Sequence, residues 1–340
     1  MTVNMRRLPV YLLLDCSESM AGSAMEAVNQ GVAMLISQLK TNPQALETVF
    51  LSIIAFSSEA KQILPLTELI QVQPPRLGIR PGTALGAALR LLLASLQRDV
   101  VKTTASSKGD WRPLVFLMTD GQPTDEWEDA ADAIQKIQRP KISNFYAIGC
   151  GEDVDTEVLY RITDVVLKMP DLHPEKINKF FIWLTASVQS ASMSVADGRG
   201  EGKAIDIALP QEVMTVAPRG VRRMDEPQRQ VFLRARCVKT KKPYLMRYAR
   251  EPDGNRYIAK ASHPLDDVGG GGGDLPPVDS AALLGCPPCP YCGNPCAGVC
   301  GCGAVFCNPA HPEGPVTCPQ CNAQLTAGDG GGFKVKQSAG

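Results

Sequence analysis

The chain has no net charge. Its 340 residues carry 35 lysines and arginines against 35 aspartates and glutamates. That balance excludes a uniformly basic nucleic-acid binder or an acidic solvating chain as a description of the whole. There is also no run approaching the roughly 18 apolar residues of a membrane span. No leader is evident: Met1-Thr-Val-Asn-Met-Arg-Arg runs straight into an apolar stretch at 8–14 and then Asp15. That stretch is too short and has no small-residue cleavage site. The expectation is a cytoplasmic protein with no membrane partner. Histidine is scarce, three in all, and His173 and His263 each precede a proline, which places them in loops. Apolar residues are not scarce. At 44% they supply a buried core and argue against wholesale disorder, and the length is a prior for two or three domains.

The neutral total hides segregation. Residues 1–190 hold 18 basic and 21 acidic residues, 191–263 hold 15 and 8, and 264–340 hold 2 and 6. In the first segment, apolar runs at 8–14, 48–57, 113–119, 142–148 and 165–169 read as strands, and 61–66 as a partner of the second. Helical periodicity marks 24–40, 84–96, 125–138, 156–162 and 174–189. Strands that are continuously apolar and alternate with helices predict a doubly wound, mostly parallel α/β sheet covered on both faces, ending near residue 190. A small polar stretch at 192–203 then reads as a linker. Residues 191–263 predict a basic β-rich module, with short β-like runs at 204–209, 231–238, 244–248 and 256–259. Residues 264–285 form a Gly/Pro linker whose five consecutive glycines have neither a strand before them nor a helix after, so they are a spacer rather than a phosphate loop. Residues 286–325 form a Cys-rich metal-binding domain, and 326–340 a disordered tail.

Asp15-Cys-Ser17-Glu-Ser19 follows the first strand, and Asp120-Gly-Gln-Pro-Thr-Asp a later one. Ligands of open α/β sheets gather at such strand ends. Thr83, in Arg80-Pro-Gly-Thr-Ala, precedes a helix. Two carboxylates and three hydroxyls suit a hard cation such as magnesium, and leave a coordination position open. Asp and Ser also favour loops and helix caps for ordinary structural reasons. A phosphatase-type nucleophile at Asp15 is disfavoured because Ser17 stands where haloacid-dehalogenase-like enzymes carry a second aspartate. The five-part set resembles the metal-ion-dependent adhesion site of von Willebrand factor A domains, and the order of strands and helices matches over roughly residues 5–190. The resemblance implies Mg2+ (or Mn2+), with Ser17, Ser19 and Thr83 binding directly and Asp15 and Asp120 often acting through water. A partner's carboxylate would complete the shell. The expected function is therefore non-enzymatic.

Nine of the twelve cysteines fall between Cys286 and Cys321. Cys16, Cys150 and Cys237 read as small core residues. Two Cys-x-x-Cys pairs bracket the cluster, the spacing of zinc knuckles, and a cytoplasmic location favours metal over disulfides. One assignment is a ribbon of Cys289, Cys292, Cys318 and Cys321, with Cys300, Cys302, Cys307 and His311 as a second set. The alternative interleaves eight ligands as a cross-brace. Cys286 and Cys296 are spare, and one or two Zn2+ ions are expected. The segment is too short for a hydrophobic core of its own, so metal would supply its folding energy.

A VWA domain followed by Cys-Pro-Tyr-Cys-Gly-Asn, Cys-Gly-Cys-Gly and Cys-Pro-x-Cys is similar to TerY-type proteins with a TerY-C metal-binding domain. That resemblance implies a bacterial scaffold in tellurite- or stress-response systems, partnered by a protein kinase and a PP2C-like phosphatase. Two other readings compete. One is a subunit of a nucleic-acid-linked complex, drawing on the basic residues Arg219, Arg222, Arg223, Arg229, Arg234, Arg236, Lys239, Lys241 and Lys242. The other is a RING-like ubiquitin ligase, which requires two interleaved zincs.

Overall fold

A computed structural model describes residues 6–104, 106–120, 122–151, 154–196, 208–217, 230–251, 256–265, 277–310, 314–325 and 334–335. The chain divides into two compact units. The first comprises Met1–Cys16, Gly22–Leu77 and Thr83–Arg223. The second comprises Met224–Gly340 with the short segments Ser17–Ala21 and Gly78–Gly82.

In the first unit the elements run β1 (Leu8–Asp15), α1 (Ser23–Thr41), α2 (Pro43–Thr48), β2 (Val49–Phe56), β3 (Ala60–Glu68), α3 (Leu85–Asp99), β4 (Leu114–Thr119), α4 (Glu128–Lys136), β5 (Asn144–Cys150), α5 (Thr156–Tyr160), β6 (Val165–Met169), α6 (Pro174–Ala196) and β7 (Thr215–Val216). The sheet order is β3-β2-β1-β4-β5-β6-β7. Strands β2, β1, β4, β5 and β6 are parallel, and β3 and β7 are antiparallel edges. The central strands β1 and β4 are buried at every position, which is why they read as continuous apolar runs. Tyr11, Leu13, Val115, Leu117 and Ala147 face Leu85, Leu89 and Leu92 of α3, Ala131 of α4 and Leu159 of α5. Phe116 and Tyr146, of opposite parity, stack at 5.2 Å and meet Trp183 of α6 edge-on. Helices therefore cover both faces.

Two boundaries differ from expectation. Helix α6 continues to Ala196 through residues that read as the start of a polar linker. The cause is tertiary: the buried Ser192 and Thr48 hydroxyls pair at 2.7 Å. Strand β7 then joins the sheet beside β6, so the unit extends past residue 190. Of the expected run at 204–209, residues 204–207 lie outside the described residues, and 208–209 form no strand.

The second unit contains β8 (Gln230–Arg236), β9 (Pro243–Arg250), β10 (Tyr257–Pro264), β11 (Val278–Asp279), β12 (Leu283–Leu284), β13 (Cys296–Val299), β14 (Val305–Asn308), β15 (Val316–Thr317), β16 (Gln324–Leu325) and β17 (Lys334–Val335). A six-stranded sheet has the order β12-β10-β9-β8-β14-β13. The basic β-rich region and the cysteine-rich region thus share one sheet, joined where β14 runs parallel to β8. Part of the expected Gly/Pro linker forms β11 and β12, and part of the expected disordered tail forms β17, which pairs with β11. Among the described residues, no helix is long and apolar enough to cross a membrane.

Candidate metal centres

Asp15 closes β1 and is buried, accepting a 2.5 Å hydrogen bond from Thr119 Oγ1 at the end of neighbouring β4. Asp120 follows Thr119, so both carboxylates emerge at the carboxyl edge of adjacent parallel strands. They lie close enough to Cys150, at the end of β5, to push its thiol up further after burial has done most of the work. Thr83, fully buried, is stitched to the segment after β4. Its N–H donates to Thr124 Oγ1 at 3.0 Å, and Thr124 N–H donates to the Thr83 carbonyl at 2.9 Å. Ala84 N–H donates to the carbonyl of Ser57, just beyond β2. Asp15, Thr83 and Asp120 are therefore gathered at one sheet edge.

Ser17 and Ser19 stand two and four residues beyond Asp15, with their hydroxyls 2.9 Å apart. Sequence reasoning passed over Glu18 between them. It is buried, and its Oε2 accepts from Gly82 N–H at 2.9 Å, tying this loop to the one that leads into Thr83. The α3 N-terminus is fixed by the Asp125 carboxylate, which accepts from Gly86 N–H at 2.9 Å and Ala87 N–H at 2.8 Å. Negative charge is favoured at such an end. A Cβ on Gly86 would lie 2.1 Å from the Glu126 carbonyl oxygen, so only glycine permits this approach.

All twelve cysteines are free thiols, and eight form two clusters. The first is Cys237, Cys289, Cys292 and Cys307; the second is Cys300, Cys302, Cys318 and Cys321. Within each, all sulfurs lie within 4.8 Å of one another. Sulfur separations of 3.5 Å (Cys292–Cys307), 3.5 Å (Cys300–Cys321) and 3.8 Å (Cys302–Cys318) approximate the edge of about 3.8 Å in a tetrahedron with Zn–S near 2.3 Å. Backbone amides already point at the sulfurs: Val238 N–H lies 3.3 Å from Cys307 Sγ, and Thr240 N–H 3.4 Å from Cys237 Sγ. Such donors stabilise thiolate. Burial opposes ionisation of Cys237, but hydrogen bonds from Thr240 and Lys239 outweigh it and bring its thiol down to about 6. The same contest, with amides of Cys321 and Gln320, brings Cys318 to about 7. Cys286 is instead pushed up to about 11 by burial and by Cys296. The residues present fit one four-thiolate zinc centre in each cluster.

This pairing corrects the ribbon expected from sequence. Cys289 and Cys292 belong to one cluster, Cys318 and Cys321 to the other, and Cys307 joins the first rather than Cys300 and Cys302. The reason is the two-residue period of β14. Val305 and Cys307 face the core containing Val231, Cys237, Tyr244 and Cys289, while Phe306 faces the opposite way, toward Cys300, Ala304 and Cys318. The ligands therefore interleave along the chain, as in the alternative reading. His311 lies outside the described residues. Cys286 and Cys296 join neither cluster. Cys237, read as a core thiol, joins the first cluster; it stands near the end of the β-like run at 231–238, far from any Cys-x-x-Cys spacing that would have marked it. Of the basic residues named for nucleic acid, Arg219, Arg222, Arg223 and Arg229 lie outside the described residues; Lys239, Lys241 and Lys242 are exposed in that turn.

Comparison with known proteins agrees with both regions. Residues 10–173 match the von Willebrand factor type A domain, and residues 273–340 the TerY-C metal binding domain. No curated protein matches the chain. Solved structures that it resembles include a von Willebrand factor type A protein from Catenulispora acidiphila, with 22% identity, 54% of this chain and 43% of that one covered, and a TM-score of 0.39. Another is the PilB minor pilin from Streptococcus sanguinis (14%, 56% and 63%, 0.39). A third is proximal thread matrix protein 1 from the mussel byssus with a zinc-occupied MIDAS motif (17%, 54% and 48%, 0.38). The chain thus spans less than two thirds of the length of each of these structures. It carries a von Willebrand factor type A domain and, beyond a β-rich region, a TerY-C metal-binding domain, a pairing that makes it TerY-like.

Proposed function

We propose that this chain is a non-enzymatic, metal-dependent scaffold that captures an acidic residue of a partner protein at the carboxyl edge of its parallel sheet. The observation that carries the reading is the placement of Asp15 and Asp120 at the ends of adjacent strands β1 and β4, with Thr83 bonded to the segment that follows Asp120. Ser17, Ser19 and Thr83 would offer hydroxyls and Asp15 and Asp120 carboxylates to Mg2+ or Mn2+. When bound, such an ion supplies an open, oxygen-seeking coordination position for a carboxylate. The chain's own part is to hold the donors in place. Thr119 fixes one oxygen of Asp15, and the Thr83–Thr124 bonds fix the middle loop. The four-thiolate clusters would hold zinc, the ion that sulfur at this spacing favours.

The TerY-like architecture extends the proposal to a bacterial, cytoplasmic role in a tellurite- or stress-response system, with a protein kinase and a PP2C-like phosphatase as partners. The test is affinity purification from native cells with Mg2+ present, repeated with chelator and with Asp15→Ala and Asp120→Ala. Partners should be lost in all three arms. A partner set unchanged in both variants would sink the proposal.

A further inference from the structure

The β8–β9 turn has the backbone of a zinc knuckle. In the Cys289-Pro-Tyr-Cys292-Gly293-Asn294 knuckle, Cys289 N–H donates to the Asn294 carbonyl (2.9 Å) and Gly293 N–H to the Cys289 carbonyl (2.9 Å). In Cys318-Pro-Gln-Cys321-Asn322-Ala323, Cys318 N–H donates to the Ala323 carbonyl (2.9 Å) and Asn322 N–H to the Cys318 carbonyl (3.0 Å). Cys237-Val-Lys-Thr240-Lys241-Lys242 repeats both bonds: Cys237 N–H to the Lys242 carbonyl (2.9 Å) and Lys241 N–H to the Cys237 carbonyl (2.8 Å). The fifth residue of each turn is left-handed, with φ of 74° at Gly293, 63° at Asn322 and 58° at Lys241. Asparagine and glycine adopt that conformation readily, but lysine does so at a cost. The left-handed fifth residue is thus part of the shared backbone, and it is kept here although a lysine occupies it.

We propose that Cys237–Lys242 is a one-thiolate zinc knuckle, with Thr240 standing where the second cysteine would be, and that it completes the first metal centre together with Cys289, Cys292 and Cys307. This rests on the reading of the clusters as zinc sites. The matched TerY-C segment, which begins at residue 273, then holds only three of that centre's four ligands. The fourth comes from the β-rich region before it. Amides of this turn also serve the centre, Thr240 N–H toward Cys237 Sγ and Val238 N–H toward Cys307 Sγ. The metal is therefore a staple between β8–β9 and the cysteine-rich strands, in addition to the β8–β14 pairing. A four-thiolate zinc centre carries a formal charge of about −2. The exposed Lys239, Lys241 and Lys242 of the same turn would offset that charge, which would give part of the basic middle segment a role without nucleic acid.

The test uses the full-length protein. Native mass spectrometry should find two zinc ions in the wild type, one in Cys237→Ser and two in Cys286→Ser, whose thiol belongs to neither cluster. Cobalt substitution of Cys237→His should restore the second ion, with a thiolate charge-transfer band reduced from the wild-type intensity. Should Cys237→Ser fail to fold, thiol alkylation of the wild type stands in for it. On adding chelator, Cys237 should become reactive in the same phase as Cys289, Cys292 and Cys307. Two zinc ions in Cys237→Ser, or a Cys237 that stays unreactive while the other three are released, would overturn the proposal. A wild type without zinc would instead overturn the zinc reading beneath it.

Discussion

Replacing Gly86 by alanine tests how the middle loop is held. The new Cβ would sit 2.1 Å from the Glu126 carbonyl oxygen and 2.8 Å from Trp127 Cα, both backbone atoms, where real Cβ contacts essentially never fall below 3.0 Å. One of the two segments must retreat by close to an ångström. That displacement acts on the Asp125 carboxylate, which receives the amides of Gly86 and Ala87, and on the Arg90 guanidinium, bonded to the Glu126 carbonyl at 2.8 Å. Overpacking costs about 1–3 kcal/mol. Weakening a charged helix cap adds about 1–2 kcal/mol. The Arg90 contribution is small because the side chain is exposed. Gly86→Ala should therefore destabilise the first unit by about 2–5 kcal/mol, or about 4–20 °C in Tm for a unit of this size. Asp125→Ala alone should cost about 1–2 kcal/mol. The double variant should fall short of the sum, since both changes break the same bonds. Thr83 is tied to Thr124 beside this contact, so Mg2+-dependent partner capture should weaken in Gly86→Ala even below its Tm. Calorimetry or urea unfolding of the three variants is the assay. A Gly86→Ala protein within about 0.5 kcal/mol of the wild type would refute the close approach and the reasoning with it.

Two further outcomes are expected. In the second cluster Cys302 and Cys321 are exposed, whereas in the first only Cys292 is even partly exposed and the other three cysteines are buried. Zinc release to a chromogenic chelator should therefore be biphasic with equal amplitudes, and Cys321→Ser should abolish the fast phase; a single phase in the wild type would contradict unequal exposure. The second outcome concerns acid. Lys176 donates to the Asp171 carboxylate at 2.6 Å and His173 N–H at 3.0 Å, and the lysine contact foremost holds this carboxyl below its usual range. Its contribution is present above about pH 3.9, the unfolded value, and is lost as pH falls through the lower folded value. The pair is largely exposed, so at most about 0.5 kcal/mol is at stake. Urea midpoints of Asp171→Asn should converge on the wild type below about pH 4, and parallel curves would contradict this.

The α/β unit was largely legible because its signals are local. Strands buried on both faces must be apolar throughout, and helices packed on one side must repeat at the helical period. β1, β2, β4 and β6 accordingly lie within about two residues of where the pattern puts them. The end of α6 was not legible: residues 190–196 are mostly small and show no clear helical period, and what anchors them is tertiary, the burial of Ser192 and Val195 and the hydroxyl pair between Ser192 and Thr48, 144 positions apart. The strand-edge carboxylates and hydroxyls were legible as a set because each follows or precedes an element that could itself be read.

The cysteines divide the same way. That the C-terminal region would hold metal follows from the order of residues alone, since knuckle spacing is a local property and so few residues cannot build a core. The pairing of sulfurs within Cys289-x-x-Cys292 and Cys318-x-x-Cys321 follows from it too, although the same spacing at Cys286-x-x-Cys289 brings Cys286 into neither cluster. Which knuckle meets which is a matter of tertiary structure. It depends on the alternation of β14, which sends Cys307 to one face and Phe306 to the other. It depends also on the pairing of β14 with β8, whose register sets Cys307 beside Cys237 from a distant part of the chain. Spacing fixes a turn; strand register fixes a partner, and register is a property of the whole sheet.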